Sequence, residues 1–169
     1  MKFLGILAVI GSCLGIGLMR VKAAGQEIRT LQSLMRGIRV MRAELSCRLC
    51  PLEELLVMAA NLAGAEAGVF FQSCAASLSG LNENSFADLW ITACRNCLPA
   101  LSAESRGQLE TLGASLGRYE LDEQLAACDR YLRCAEETAN GLLARLPEQR
   151  KLSLALSAAA GAFLCLLIL

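Results

Sequence analysis

The sequence predicts an all-α fold: a six-helix soluble domain flanked by an N-terminal and a C-terminal transmembrane helix. Three observations carry that prediction. The chain of 169 residues is 55% hydrophobic but only 5% aromatic. That exceeds the roughly 45–50% apolar usage of soluble domains, and Leu and Ala, both strong helix formers, carry the excess. Two runs, Phe3 to Met19 and Leu152 to Leu169, hold no charged residue. Between them apolar residues recur at spacings of three and four, with no alternating strand pattern of any length. Residues 1–24 and 151–169 are therefore expected as membrane helices. Residues 25–150 are expected as a cytosolic helical domain large enough for a single core.

Each apolar run is near the lower limit of roughly 17–25 residues that a spanning helix needs. A cleavable signal peptide competes for the first, since Lys2 precedes it. The run is long for an h-region of about 7–15 residues, however, and Arg20-Val21-Lys22 follows it directly as a stop-transfer flank. Arg20, Lys22 and Arg29 outweigh Lys2 around the first run. Arg145, Arg150 and Lys151 precede the second, with nothing charged after it. The positive-inside rule then places residues 20–151 in the cytoplasm. In that reducing compartment Cys47, Cys50, Cys74, Cys94, Cys97, Cys128 and Cys134 are expected as thiols that fill apolar space.

The first helix continues out of the membrane. Leu31, Leu34, Ile38, Met41 and Leu45 share one face, with Arg29, Arg36 and Arg39 turned away from it. It ends near Cys50, because Pro51 disfavours the α conformation in the residue before it. Pro51 fits the first position of a second helix, with Glu53 and Glu54 in its first turn where the helix dipole favours acids, and Gly64 stops it. A third helix runs from about Glu66 to Leu78 and ends in the polar turn 79–84. A fourth starts at Ser85, paired with Asp88 as a cap, and closes before Pro99. The fifth opens at Ser102 and closes at Gly117. The sixth, from about Leu121, runs toward the terminal apolar segment, and Pro147 is expected to kink it or break it briefly.

Charge is uneven although the net is zero. From Arg20 to Arg48 seven bases stand against Glu27 and Glu44, a net of +5; from Leu49 to Lys151 eight stand against fourteen acids, a net of −6. Internal complementarity and a flank near anionic lipid account for this split, or else a partner-docking face. Neither net charge nor basic–aromatic interleaving suits nucleic acid.

Nothing in the chain spells out catalysis. It has no histidine, which removes the usual acid–base group and most hydrolytic triads, and it has no G-x-x-x-x-G-K-[ST] phosphate loop. No catalytic residue, no cofactor and no small-molecule substrate are expected. The pairs Cys47/Cys50 and Cys94/Cys97 are two C-x-x-C motifs that could supply four thiolates to zinc. Their wide separation and the helical setting of the second pair favour apolar packing instead, and no βαβ context supports redox chemistry. In Leu112-Gly113-Ala114-Ser115-Leu116-Gly117, glycines at i and i+4 bare one helix face for close approach by another helix or by a partner protein.

The order Glu44, Pro51-Leu52-Glu53-Glu54, Leu112-Gly113-x-x-Leu116-Gly117, Gln124 and a terminal apolar helix resembles the stage III sporulation protein AB family of endospore-forming bacteria. Cys47, Cys50 and Pro147 depart from that pattern. The resemblance implies a fold similar to the cytoplasmic domain of the type II secretion platform protein. It also implies a non-enzymatic platform subunit in the channel complex between mother cell and forespore. The partners implied are a separate ATPase, the stage III sporulation AA protein, polytopic membrane subunits and the lipid bilayer. The site implied is the mother-cell side of the outer forespore membrane. A generic membrane-tethered helical adaptor or scaffold is the alternative.

Overall fold

Helix ends fall where local capping chemistry sets them. The computed structural model describes the backbone of residues 2–47, 50–78, 85–116 and 120–168, and the side chains of Met19 and of residues 22–147 within those spans. Among the described residues there are six helices and no strand: α1 Lys2–Cys47, α2 Leu52–Ala63, α3 Ala65–Leu78, α4 Phe86–Cys97, α5 Ala103–Ser115 and α6 Leu121–Ile168. Pro51 occupies the N-cap of α2, one position earlier than expected, with Glu53 and Glu54 in the first turn. Gly64 ends α2 at φ +95°, a left-handed value open to glycine at no steric cost. It is the one residue separating α2 from α3, so the two helices form a tight hairpin. Ser85 caps α4, its hydroxyl accepting from the Asp88 amide at 3.3 Å and donating to Asp88 Oδ2 at 2.7 Å. Ser102 caps α5 by accepting from the Ser105 amide. The expected turn 79–84 and the helix stop at Gly117 lie outside the described residues.

Pro147 does not interrupt α6, which is helical on both sides of it. A proline removes one intrahelical hydrogen bond and crowds the carbonyl four residues earlier. Here Leu143, Ala144, Arg145 and Pro147 are all exposed, so water can serve the carbonyl that proline leaves without a donor, and the helix continues.

The chain divides into two compact units, one of residues 1–26 with 140–169 and one of residues 27–139. In the first, the described side chains include Met19 and Leu143, both exposed. Apart from Met19, the apolar runs expected to cross a membrane fall on side chains outside the described ones. Among the described residues no helix is long and apolar enough to cross a membrane.

The second unit has its own core. Leu31, Leu34, Ile38 and Met41 of α1 are each at most 1% exposed, as the periodicity requires, while Leu45 is half-buried. Facing residues include Leu55 and Leu56 of α2, Phe70 and Phe71 of α3 and Leu109 of α5. Trp90 of α4 lies at the centre of the aromatic packing. Its ring meets Phe70 edge-on with centroids 4.8 Å apart, and Phe70 meets Phe71 at 5.0 Å. Two glycines make the packing possible. A Cβ on Gly37 would stand 2.7 Å from Phe71 Cζ and overlap the ring edge, and one on Gly113 would overlap the Trp90 indole. The flat face that the glycine spacing announced on α5 is thus filled from within the chain by Trp90, which leaves no open partner surface at Gly113.

Long-range polar contacts made by α1 fix the other elements. Glu27 Oε1 accepts from the Ser102 amide at 3.0 Å and from the Ser105 hydroxyl at 2.9 Å, placing a carboxylate at the N-terminus of α5 where the helix dipole favours it. Glu27→Ala is expected to lower stability by about 1 kcal/mol in urea titrations. Glu27→Gln, which keeps an acceptor, should restore most of that loss.

Candidate functional site

The polar groups that folding buries are mostly occupied with architecture. At the α2–α3 elbow the last carbonyl of α2, on Ala63, accepts from Ser33 Oγ at 2.7 Å and from Arg36 Nη2 and Nε at 2.8 and 3.1 Å. Ser33 Oγ in turn accepts from the Ala67 amide at 3.0 Å. A carbonyl and an amide that the helix ends cannot satisfy are therefore paired by one residue of α1. Further along α1, Arg42 forms a bidentate pair with Asp129 of α6, with Nη2–Oδ2 at 3.0 Å. The Arg42 guanidinium is held above its ordinary pKa, first by that hydrogen bond and then by the Asp129 charge. In the interior, Trp90 Nε1 donates to the Leu109 carbonyl at 2.8 Å.

The thiols divide by position. Cys74, Cys94 and Cys128 are buried, Cys50, Cys97 and Cys134 half-buried, and Cys47 exposed. Packing as apolar filler therefore describes the first three and not Cys47. Cys50 donates to Glu54 Oε2 at 2.9 Å. Among the described residues no three His, Cys, Asp or Glu side chains are grouped so as to hold a metal ion.

Burial pushes the Cys74 thiol up to about 12, with Cys97 adding to it, and the Cys128 thiol up to about 11, with Asp129 adding to it. Cys94 is raised as well, also chiefly by burial. Such thiols stay protonated and are poor nucleophiles. An unfolded chain releases these protons near the ordinary value of 9.0, while the folded chain keeps them. Stability is therefore expected to be fully present below pH 9 and to fall as pH rises toward 11–12. Denaturation midpoints across that range measure the slope, and Cys128→Ala should reduce it. With a thiol reagent at neutral pH, Cys47 should react at once, and Cys74, Cys94 and Cys128 only on unfolding.

A groove of about 210 Å³ runs between α5 and α6, lined by residues including Gln108, Thr111, Ser115, Arg130, Tyr131 and Cys134. The Tyr131 hydroxyl is buried without a hydrogen-bond partner. Its pKa is raised by burial and then by nearby Cys94, so it is a neutral phenol. These groups are weak tools for acid–base or nucleophilic chemistry at neutral pH.

The surface is distinctive in charge. Lys22, Arg29, Arg36 and Arg39 are exposed on α1, and the last three share one face as their spacing predicted. Across α2 and α3 the balance reverses. Between Arg48 and Arg95 the chain has no base at all, against Glu53, Glu54, Glu66, Glu83 and Asp88. Val57, Leu62 and Val69 of the same hairpin are 46%, 60% and 62% exposed.

Together these features define an all-α bundle organised by one long helix, with its distinctive chemistry displayed as charged helix faces. The chain belongs to the stage III sporulation protein AB family, whose family model matches residues 2–169. A solved structure described as "Stage III sporulation protein AB (SpoIIIAB)" is similar with a TM-score of 0.63 at 16% identity, covering 70% of this chain and 94% of that one. At that identity the likeness speaks for the fold. A search of curated protein sequences finds no match.

Proposed function

We propose that this chain is a structural platform subunit of a stage III sporulation membrane complex: it holds a separate ATPase and polytopic subunits at the membrane between mother cell and forespore, and performs no catalysis itself. The observation that carries this reading is the family match over residues 2–169, which takes in both apolar ends as well as the helical domain. Those ends, each without a charge and each flanked by bases on the domain side, root the first and last helices in the bilayer with the domain in the cytoplasm. The absence of histidine and of a phosphate-binding loop from the sequence supports a supply of energy by a partner. A fold similar to the type II secretion platform domain is part of the same proposal.

Affinity isolation of the tagged full-length chain from sporulating cells, after mild detergent extraction, tests it. The ATPase and polytopic membrane proteins of the same complex are expected to co-purify, while the purified chain alone hydrolyses no ATP. Recovery of neither class of partner under conditions that keep the complex intact would leave a membrane-tethered adaptor unconnected with secretion.

A further inference from the structure

The charge split identified in the sequence lies on exposed side chains of α1 and of the α2–α3 hairpin in the second unit, and of these the contacts described above engage Arg36 and Glu54 alone. Among the described residues of α1 in this unit, Arg29 and Arg39 are the exposed cations left for a partner. Arg36, between them, is engaged at its guanidinium by the Ala63 carbonyl. On the hairpin, Glu53, Glu54 and Glu66 are exposed together with Val57, Leu62 and Val69, in a stretch of sequence that supplies no base of its own. Three large aliphatic side chains exposed on one hairpin form the kind of apolar surface that association covers, and the acids around them select a cationic counterpart. Arginine suits that counterpart, because its stem packs on apolar groups while its head stays with the carboxylates. The α1 edge offers such arginines with a spacing of ten residues, about 15 Å along a helix, comparable to the length of the twelve-residue α2.

We propose that the acidic hairpin α2–α3 of one copy docks on the basic edge of α1 of a second copy. The two surfaces differ, so the contact is head to tail and each copy can both give and receive it. Such an interface closes into a ring or extends as a row, and either arrangement would multiply docking positions along a membrane. The inference stands on these surfaces alone. Its failure would leave the platform reading intact.

Sedimentation of the full chain in mild detergent tests it with two variants, Glu53→Lys/Glu66→Lys and Arg29→Glu/Arg39→Glu. All four positions are exposed, and far-ultraviolet circular dichroism with Trp90 fluorescence reports whether each variant is folded. The wild-type chain is expected to self-associate. Its association should weaken tenfold or more as ionic strength rises from about 0.1 M to about 1 M, which shortens the screening length from about 10 Å to about 3 Å. Each folded variant alone should be monomeric, since one of its two surfaces now repels the other. An equimolar mixture should regain association, because the intact hairpin of the arginine variant meets the intact α1 edge of the glutamate variant and the two reversed surfaces are complementary as well. A wild-type chain that stays monomeric overturns the proposal and leaves a basic segment of another protein as the occupant. Association that ignores both salt and substitutions also overturns it, by assigning contact between copies to the apolar ends. Folded variants that fail to pair overturn it as well.

Discussion

Gly113→Ala is expected to destabilise the helical domain by about 3 kcal/mol, although alanine is the better helix former by about 1 kcal/mol. The reason lies across the α4–α5 interface. A Cβ at position 113 would stand 2.6 Å from Trp90 Nε1 and closer still to two carbons of the same ring. The indole cannot simply move aside. It is fully buried, packed against Phe70 and Phe86, and tied through Nε1 to the Leu109 carbonyl of α5, one turn before Gly113. Making room for one methyl group therefore shifts a whole helix or breaks that hydrogen bond, leaving a buried donor and acceptor unpaired. The control is in the same helix: around Gly107 nothing lies within 4 Å of an added Cβ. Gly107→Ala should therefore stabilise, by about 0.5–1 kcal/mol. Opposite signs for one substitution at two positions of α5, read from urea denaturation of the full chain in detergent, separate packing from helix propensity. Trp90 is the single tryptophan, so a red-shifted emission in Gly113→Ala should accompany the loss.

Ser33→Ala should cost about 2 kcal/mol. The substitution removes one oxygen and little volume, so cavity formation contributes little. The loss falls on the α2–α3 elbow. Ser33 is fully buried, and its hydroxyl donates to the Ala63 carbonyl and accepts from the Ala67 amide. Arg36 also serves the Ala63 carbonyl, so that acceptor survives the change, while the Ala67 amide loses its side-chain acceptor. Hydrogen exchange should show the difference directly, with the amides at the start of α3 losing protection in Ser33→Ala ahead of those in α5. Ser33→Thr keeps the hydroxyl and should preserve the protection of Ala67.

Features decided by neighbours in sequence were legible before the fold was known. Ser85, Ser102 and Gly64 mark their helix ends because a cap acts within a turn. The burial of Leu31, Leu34, Ile38 and Met41 follows from spacing alone. Pairings between distant segments were not legible. Glu27 reaches Ser102 and Ser105, Ser33 reaches Ala63, and Trp90 seats on Gly113. In each case the residue type is common, and the partner is selected by tertiary packing. Gly37 carried a usable signal, since glycine inside a long helix costs about 1 kcal/mol and so asks for a reason. The reason is the Phe71 ring. At Pro147 the helix is not broken, because proline removes a single bond from a helix that is exposed there. The basic face of α1 was readable from its spacing. That the hairpin opposite in charge also exposes Val57, Leu62 and Val69 required the fold, since periodicity alone does not say which apolar positions of a short helix remain uncovered.

The proposed role of this chain is to keep a motor at a membrane. The direct measurement is the fraction of the partner ATPase that pellets with membranes from sporulating cells. It should be compared among cells with the full chain, cells without it, and cells making only residues 25–150. Membrane-bound ATPase is expected with the full chain, and release to the soluble fraction both without the chain and with residues 25–150 alone. ATPase that stays with the membranes equally in all three would contradict it.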